Sequence, residues 1–146
     1  MPRVSVVIPT YNCAKFLGRT IDSALRQTYR DFEIIVVDDG STDGTQALVA
    51  AYEESVRYVY QPNQGASAAR NAALSRASGE FIAYLDADDL WRPDKLSRQV
   101  EFLDAHSTCG FVHTEVSVID EQDTVLHTCF NRDTKRPIPQ GQCVRD

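Results

Sequence analysis

The sequence predicts an α/β fold: a Rossmann-like, mainly parallel sheet with helices on both faces, ending in a β-hairpin. Three observations carry that expectation. Short β-branched runs alternate with helical stretches along the chain. One run, FEIIVVD at 32–38, is continuously apolar, as a central strand covered on both faces requires. The acidic and turn-rich clusters follow strands and never precede them, which is where open parallel sheets bind ligands. At 146 residues and 42% hydrophobic content, the chain suffices for one compact domain with a core and leaves no room for a second.

The elements follow in order. VSVVI, Val4 to Ile8, is a strand halted by Pro9. A helix is expected from Ala14 to Gln27, because Leu17, Ile21, Ala24 and Leu25 recur at helical spacing and form a stripe that faces the sheet. Lys15, Arg19 and Arg26 fall on its solvated side. FEIIVVD ends in DDGSTDGT, whose polar residues cap a short helix from Thr45 to Tyr52. Val56 to Gln61 is the third strand, and SAARNAALSRAS an Ala-rich helix stopped by Gly79 in the C′ role. EFIAYLD is the fourth strand. RPDKLSRQVEFLDAH carries Leu96, Val100 and Leu103 on one helical face, with Pro93 near its first turn. GFVHTEVSVID and TVLHTCF read as a hairpin. NRDTKRPIPQGQCVRD has no period, and the chain ends without a terminal element, as a piece of something longer would.

Composition narrows the function classes. A net charge of −6, with basic residues scattered, argues against nucleic acid as the main partner. No apolar run approaches the length of a membrane span, and MPRVSVVIPTYN lacks the order of a secretory signal, so a soluble, cytoplasmic protein is expected. Cys13, Cys109, Cys129 and Cys143 have no CxxC spacing, which favours reduced thiols over disulfides or zinc.

The sharpest feature is YLDADDLWRPDKL. It crowds Asp86, Asp88 and Asp89 directly after a strand, and like charges this close repel unless a cation or donors sit among them. A DxD triplet can turn Asp86 and Asp88 to one side, which suits a hard divalent cation such as Mg²⁺ or Mn²⁺. Magnesium keeps several waters and bridges to substrate phosphates, so one or two carboxylates are enough and a diphosphate-bearing substrate is implied. Asp38 or Asp39 can accept a hydrogen bond from a base or ribose, and the Tyr11 ring can stack on a heterocycle. The blander readings make Asp38 and Asp39 turn and cap residues, Tyr11 a surface aromatic, Arg70 a helix-surface arginine and Asp89 a turn or cap residue. Trp91 reads as packing, and His106, His113 and His127 as isolated structural histidines.

VSVVIPTYNCAKFLGRTIDSALRQTYRDFEIIVVDDGSTDGT, followed by NQGASAARNAALSRASGEFIAYLDADD, resembles the nucleotide-binding half of family 2 glycosyltransferases, inverting enzymes of GT-A fold. The likeness runs through about Val118. It implies that Pro9, Thr10 and Tyr11 line a nucleoside pocket, that Asp39 contacts the base and that Asp38 supports it. Arg70 then contacts the base or steadies the aspartates, with Asn71 beside it. Asp88 ligates the metal, and Asp86 approaches the ribose or a metal-bound water. The implied donor is a nucleotide-diphosphate sugar, with a UDP-sugar favoured, and the acceptor a saccharide or lipid-linked hydroxyl. Cell-surface polysaccharide or glycolipid assembly follows, peripheral to the inner membrane face in a longer protein. Residues 1–146 correspond to the donor-binding part, and the catalytic base is expected beyond residue 146. Glu115, Asp120, Glu121 and Asp123 read instead as turn charges of the hairpin.

Three other classes using clustered aspartates fit less well. An aspartyl phosphatase places DxD after its first strand, a receiver domain needs a lysine on a late strand, and a nucleotidyltransferase opens with a basic Gly-rich loop that IPTYNCAKF is not. A non-catalytic nucleotide-sugar-binding module is the remaining alternative.

Overall fold

The computed structural model describes residues 1–128, which divide into two compact units, the first of residues 1–97 and the second beginning at Arg98. The first is built on four parallel strands: β1 (Val4–Thr10), β2 (Phe32–Asp38), β3 (Arg57–Tyr60) and β4 (Phe81–Tyr84). Helices α1 (Ala14–Leu25), α2 (Thr45–Ala50) and α3 (Ala66–Leu74) connect them, and α4 (Lys95–Ala105) follows. The sheet order is β3-β2-β1-β4. The chain walks outward from β1 to β3 and then returns to add β4 on the other side, so the strand order reverses beside β1.

β1 and β2 are the centre, with all seven residues of β1 buried. Successive side chains alternate between faces. Val7, Ile35 and Val37 pack with Ala69 and Ala73 of α3, whose small side chains let helix and sheet approach closely. Val6, Ile8, Ile34 and Val36 point to the opposite face and are at most 2% exposed, so that face is covered as well. This is why the β2 sequence is uniformly apolar where a half-buried strand would alternate.

The boundaries differ from the sequence expectation in instructive places. β1 does not stop at Pro9 but continues through Thr10. Odd-numbered residues of β1 bond toward β4, as in the Leu85 N–H donation to the Val7 carbonyl, while even-numbered ones bond toward β2, as in the Asp39 N–H donation to the Thr10 carbonyl. The donor that Pro9 lacks therefore faces the β4 side, where pairing has already ended at Val7 and Tyr84. Gly79 is no helix terminator, since α3 ends at Leu74. A Cβ at Gly79 would lie 2.6 Å from the Ser5 nitrogen, so the residue is small because it crosses tightly against β1. Pro93 precedes α4, whose first residue is Lys95, and uses its carbonyl to accept the Thr28 N–H at 2.8 Å.

In the second unit, β5 (Val118–Ile119) and β6 (Val125–His127) form an antiparallel pair, shorter than the expected strands. Asp120 Oδ1 accepts the N–H groups of Gln122 and Thr124 and so folds the turn. Cys13 and Cys109 are free thiols, and Cys129 and Cys143 lie outside the described residues. Among the described residues, no helix is long and apolar enough to cross a membrane.

Candidate functional site

Four loops leave the carboxyl ends of β1 to β4, and side chains knit them together. Asp38 and Asp39 are adjacent and almost fully buried, yet their partners differ. Asp38 Oδ1 accepts the Ser41 N–H at 2.8 Å, and its Oδ2 accepts the Tyr58 hydroxyl at 2.6 Å. Burial and the Asp38 charge push the Tyr58 phenol well above its ordinary value. Asp39 Oδ1 accepts from Gln61 Nε2 at 2.6 Å and from the Gln64 N–H at 2.9 Å, while Oδ2 accepts the Gly65 N–H at 2.7 Å. Burial alone would raise the Asp39 pKa, but these donors outweigh it and hold the carboxyl below its ordinary 3.8. Asp39 thus fixes the 61–65 loop, where Gly65 takes a φ of 89° that a side chain would strain.

The first two loops are cross-linked by Asn12, Ser41, Thr42 and Asp43, a bridge the sequence reading did not foresee because it gave the polar residues of DDGSTDGT only a capping role. Asn12 donates its N–H to Ser41 Oγ and accepts the Thr42 N–H on Oδ1. Asp43 Oδ2 accepts the Ala14 N–H at 3.0 Å, and its Oδ1 accepts from Thr45 N–H and hydroxyl, which holds its pKa low. The signal was available in GSTDGT, where short oxygen-bearing side chains are suited to bonding exposed N–H groups. Pro9 is buried inside β1, and Tyr11 stands beyond the strand end, 53% exposed. The Thr10 hydroxyl is buried and finds no hydrogen-bond partner among the described residues, an orphan oxygen at the mouth of the strand.

After β4 the chain makes a turn closed by the Asp89 N–H donation to the Asp86 carbonyl at 3.0 Å. Ala87 is buried, whereas Asp86 and Asp88 are exposed on either side of it. The Ala87 carbonyl accepts the Thr20 hydroxyl at 2.9 Å, with Cys13 Sγ at 3.6 Å. Arg70 Nη2 meets Asp86 Oδ1 at 2.6 Å, so the arginine steadies that aspartate. Among the described residues, Asn71 makes no hydrogen bond to these carboxylates; its carbonyl accepts the Ser75 N–H. Neither oxygen of Asp88 accepts a hydrogen bond among the described residues. Burial, then the charges of Asp88 and Asp86, raise the Asp89 pKa. Lys95 Nζ lies 4.2 Å from the Trp91 ring centroid, and burial lowers its pKa to about 8. His106 stacks on Phe102, and its Nδ1 lies 2.9 Å from the Phe102 carbonyl within α4, which is a structural placement.

Among the described residues, no three His, Cys, Asp or Glu side chains are grouped to enclose a metal. An outward Asp88 with free oxygens, beside Asp86, instead fits a hard cation that draws its remaining ligands from water and substrate oxygens.

The glycosyl transferase family 2 model matches residues 5–141 of this sequence. The chain belongs to glycosyltransferase family 2. Among its relatives, the Bacillus subtilis glycosyltransferase TuaG, assigned to teichuronic acid biosynthesis, is 43% identical over 86% of this chain and 51% of its own length. WfaP of Escherichia coli, a UDP-Glc:α-D-GlcNAc-diphosphoundecaprenol β-1,3-glucosyltransferase, is 42% identical over 71% of this chain and 42% of its own. The chain therefore spans about half the length, or less, of the curated relatives it matches. The fold is similar to that of Staphylococcus aureus TarS 1-349 in complex with UDP-GlcNAc, with a TM-score of 0.73 at 30% identity over 82% of this chain and 36% of that one. It is also similar to the mannosyltransferase PcManGT of Pyrobaculum calidifontis in complex with GDP-Man and Mn²⁺, with a TM-score of 0.72 at 36% identity over 84% and 37% of the two chains. The GT-A-like, mainly parallel sheet expected from sequence is thus the fold of this family 2 chain.

Proposed function

We propose that this chain is the donor-binding part of an inverting glycosyltransferase that uses a nucleotide-diphosphate sugar, with a UDP-sugar favoured, and Mn²⁺ or Mg²⁺. The observation that carries the reading is the turn after β4, which buries Ala87 and leaves Asp86 and Asp88 facing outward at the switch point of the sheet. Asp88 is the metal ligand, with Asp86 beside it directed to the ribose or to a metal-bound water, and Arg70 holds Asp86 in place. Bound there, the cation supplies charge neutralisation for the departing diphosphate. Asp39 presents the remaining lone pair of Oδ2 to the base, Asp38 supports it through Ser41 and Tyr58, and Pro9, Thr10 and Tyr11 form the nucleoside wall, with the orphan Thr10 hydroxyl offered to the ligand. The complexes of TarS with UDP-GlcNAc and of PcManGT with GDP-Man and Mn²⁺ support this donor chemistry.

Inversion requires a base that deprotonates the acceptor hydroxyl. Asp38, Asp39 and Asp43 are occupied by hydrogen bonds and Asp86 by Arg70, and we assign the base to a carboxylate of the acceptor-binding part, beyond residue 146. Residues 1–146 then bind donor without efficient transfer, in the assembly of polysaccharide or glycolipid at the inner face of a membrane. Calorimetric titration of UDP with and without Mn²⁺ tests the site. Metal should tighten UDP binding, and Asp88→Ala should abolish at least about tenfold of affinity in the presence of metal. UDP binding indifferent to both metal and Asp88 overturns the site, and multiple-turnover sugar transfer by these residues alone overturns the division of labour.

A further inference from the structure

A helix packed in a core normally buries apolar side chains, yet α1 and the residues just after it bury Thr20, Ser23 and Gln27, which are 0%, 3% and 0% exposed. At about 100° per residue these three share roughly 60° of arc beside the apolar stripe of Leu17, Ile21 and Ala24. Burying polar groups costs stability unless each is bonded. Here every partner across the chain is backbone of the segment that follows β4. The Thr20 hydroxyl donates to the Ala87 carbonyl at 2.9 Å, and the Trp91 N–H donates to Ser23 Oγ at 3.1 Å. Gln27 Nε2 donates to the Arg92 carbonyl at 2.7 Å, while Gln27 Oε1 accepts the Leu96 N–H at 2.9 Å.

We propose that the polar stripe of Thr20, Ser23 and Gln27 positions the Asp86–Asp88 turn for metal and diphosphate, an inference that rests on the donor-binding reading above. Residues 85–94 contain no strand or helix, so their backbone groups need partners from elsewhere, and α1 with the residues just after it supplies those at Ala87, Trp91 and Arg92. The first bond falls on the central residue of the DxD. Turning the Ala87 carbonyl inward is what leaves Asp86 and Asp88 on the outside. Asp86 has Arg70 to hold it, but Asp88 accepts no hydrogen bond among the described residues, so its place is inherited from the backbone that Thr20 anchors. The clamp also works against the mutual repulsion of three neighbouring carboxylates, which by itself would open the turn. The metal site is therefore set in advance from a helix that carries none of its ligands, and Thr20, Ser23 and Gln27 are positioning residues.

The discriminating quantity is the ratio of UDP affinities with and without Mn²⁺, measured by calorimetry within each variant of this chain, because a general loss of folded protein or of base binding cancels in it. Thr20→Val keeps shape and removes the hydroxyl; it should shrink the ratio about tenfold or more, the cost typical of losing an outer-shell partner, and Thr20→Ser should restore it. Ser23→Ala, a smaller change that keeps the measurement available if Thr20→Val does not fold, should shrink the ratio by less, since Trp91 lies further from the turn. A wild-type chain with a metal-dependent gain that survives in both Thr20→Val and Ser23→Ala overturns the positioning role and leaves the donor site standing. A wild-type chain with no such gain overturns the donor site, and the positioning role with it.

Discussion

Asp86, Asp88 and Asp89 are chemically alike and nearly contiguous, yet the turn gives each a different environment. Asp86 is compensated by Arg70 at 2.6 Å, and Asp88 faces outward. Asp89 closes the turn through its N–H, while its carboxyl, pushed up by burial and then by Asp88 and Asp86, sits in a place unfavourable to charge. A carboxyl whose folded pKa is raised costs stability when ionised, and that cost is relieved as pH falls through the raised value. Asp89→Asn should therefore stabilise the metal-free chain at pH 7, by about 0.5 kcal/mol or less because an exposed charge is screened. The gain should vanish near pH 3. Thermal melts of the two proteins at both pH values check this, and a variant that is less stable at pH 7 would show instead that the Asp89 carboxylate contributes to the turn. Asp38 and Asp39 make the same point with burial: one residue apart, they serve different loops because each reaches a different set of donors.

Elements meet at this site only because some cross at close range. Where the chain enters β4, Gly79 lies so near β1 that a Cβ would approach the Val4 carbonyl carbon to 2.8 Å as well as the Ser5 nitrogen. Both are backbone atoms of a central strand and cannot swing aside. Gly79→Ala should cost about 1–3 kcal/mol, the range of forced overpacking, seen as a lower denaturant midpoint with an unchanged slope; an unchanged midpoint would mean that β4 shifts freely along β1. The sequence showed this glycine but assigned it to helix termination, because a contact between residues 75 positions apart leaves no local pattern. The alternation of strands and helices was legible for the opposite reason: β2 declares its burial by an unbroken apolar run, and the Leu17, Ile21 and Ala24 stripe by its helical period. The DxD was legible from charge crowding. The polar stripe of α1 was not, since Thr20, Ser23 and Gln27 read as neutral helix residues until the segment they bind is known. Tyr58 and Gln61 were equally silent, because only the parallel register of β2 and β3 brings them to Asp38 and Asp39.

Taken over the whole molecule, the carboxylates that hold loops together also set its response to acid. Asp39 and Asp43 are held below their ordinary 3.8 by N–H and hydroxyl donors that outweigh burial. At the other end of the sheet, Glu33 Oε1 accepts from Ser5 Oγ and from the N–H and hydroxyl of Ser78, which outweigh burial and keep it below 4.5. A depressed folded pKa contributes stability that is fully present above the unfolded value and is lost as pH falls through the folded one. Among the described residues, three such groups against the one opposing shift of Asp89 make the protein acid-sensitive, with stability level at neutral pH and falling once pH drops below about 4.5. Asp39→Asn isolates one contribution. An amide nitrogen cannot accept, so at least one of the donors from Gln61, Gln64 and Gly65 is left facing it, at a cost of about 2 kcal/mol at pH 7. Wild type loses the benefit of the Asp39 charge on acidification and the variant has none to lose, so the gap between their unfolding free energies should narrow steadily below pH 3.8. Urea unfolding of both proteins from pH 7 to pH 2.5 measures that gap, and a constant difference across the range would show that the Asp39 charge contributes nothing beyond the shape of its side chain.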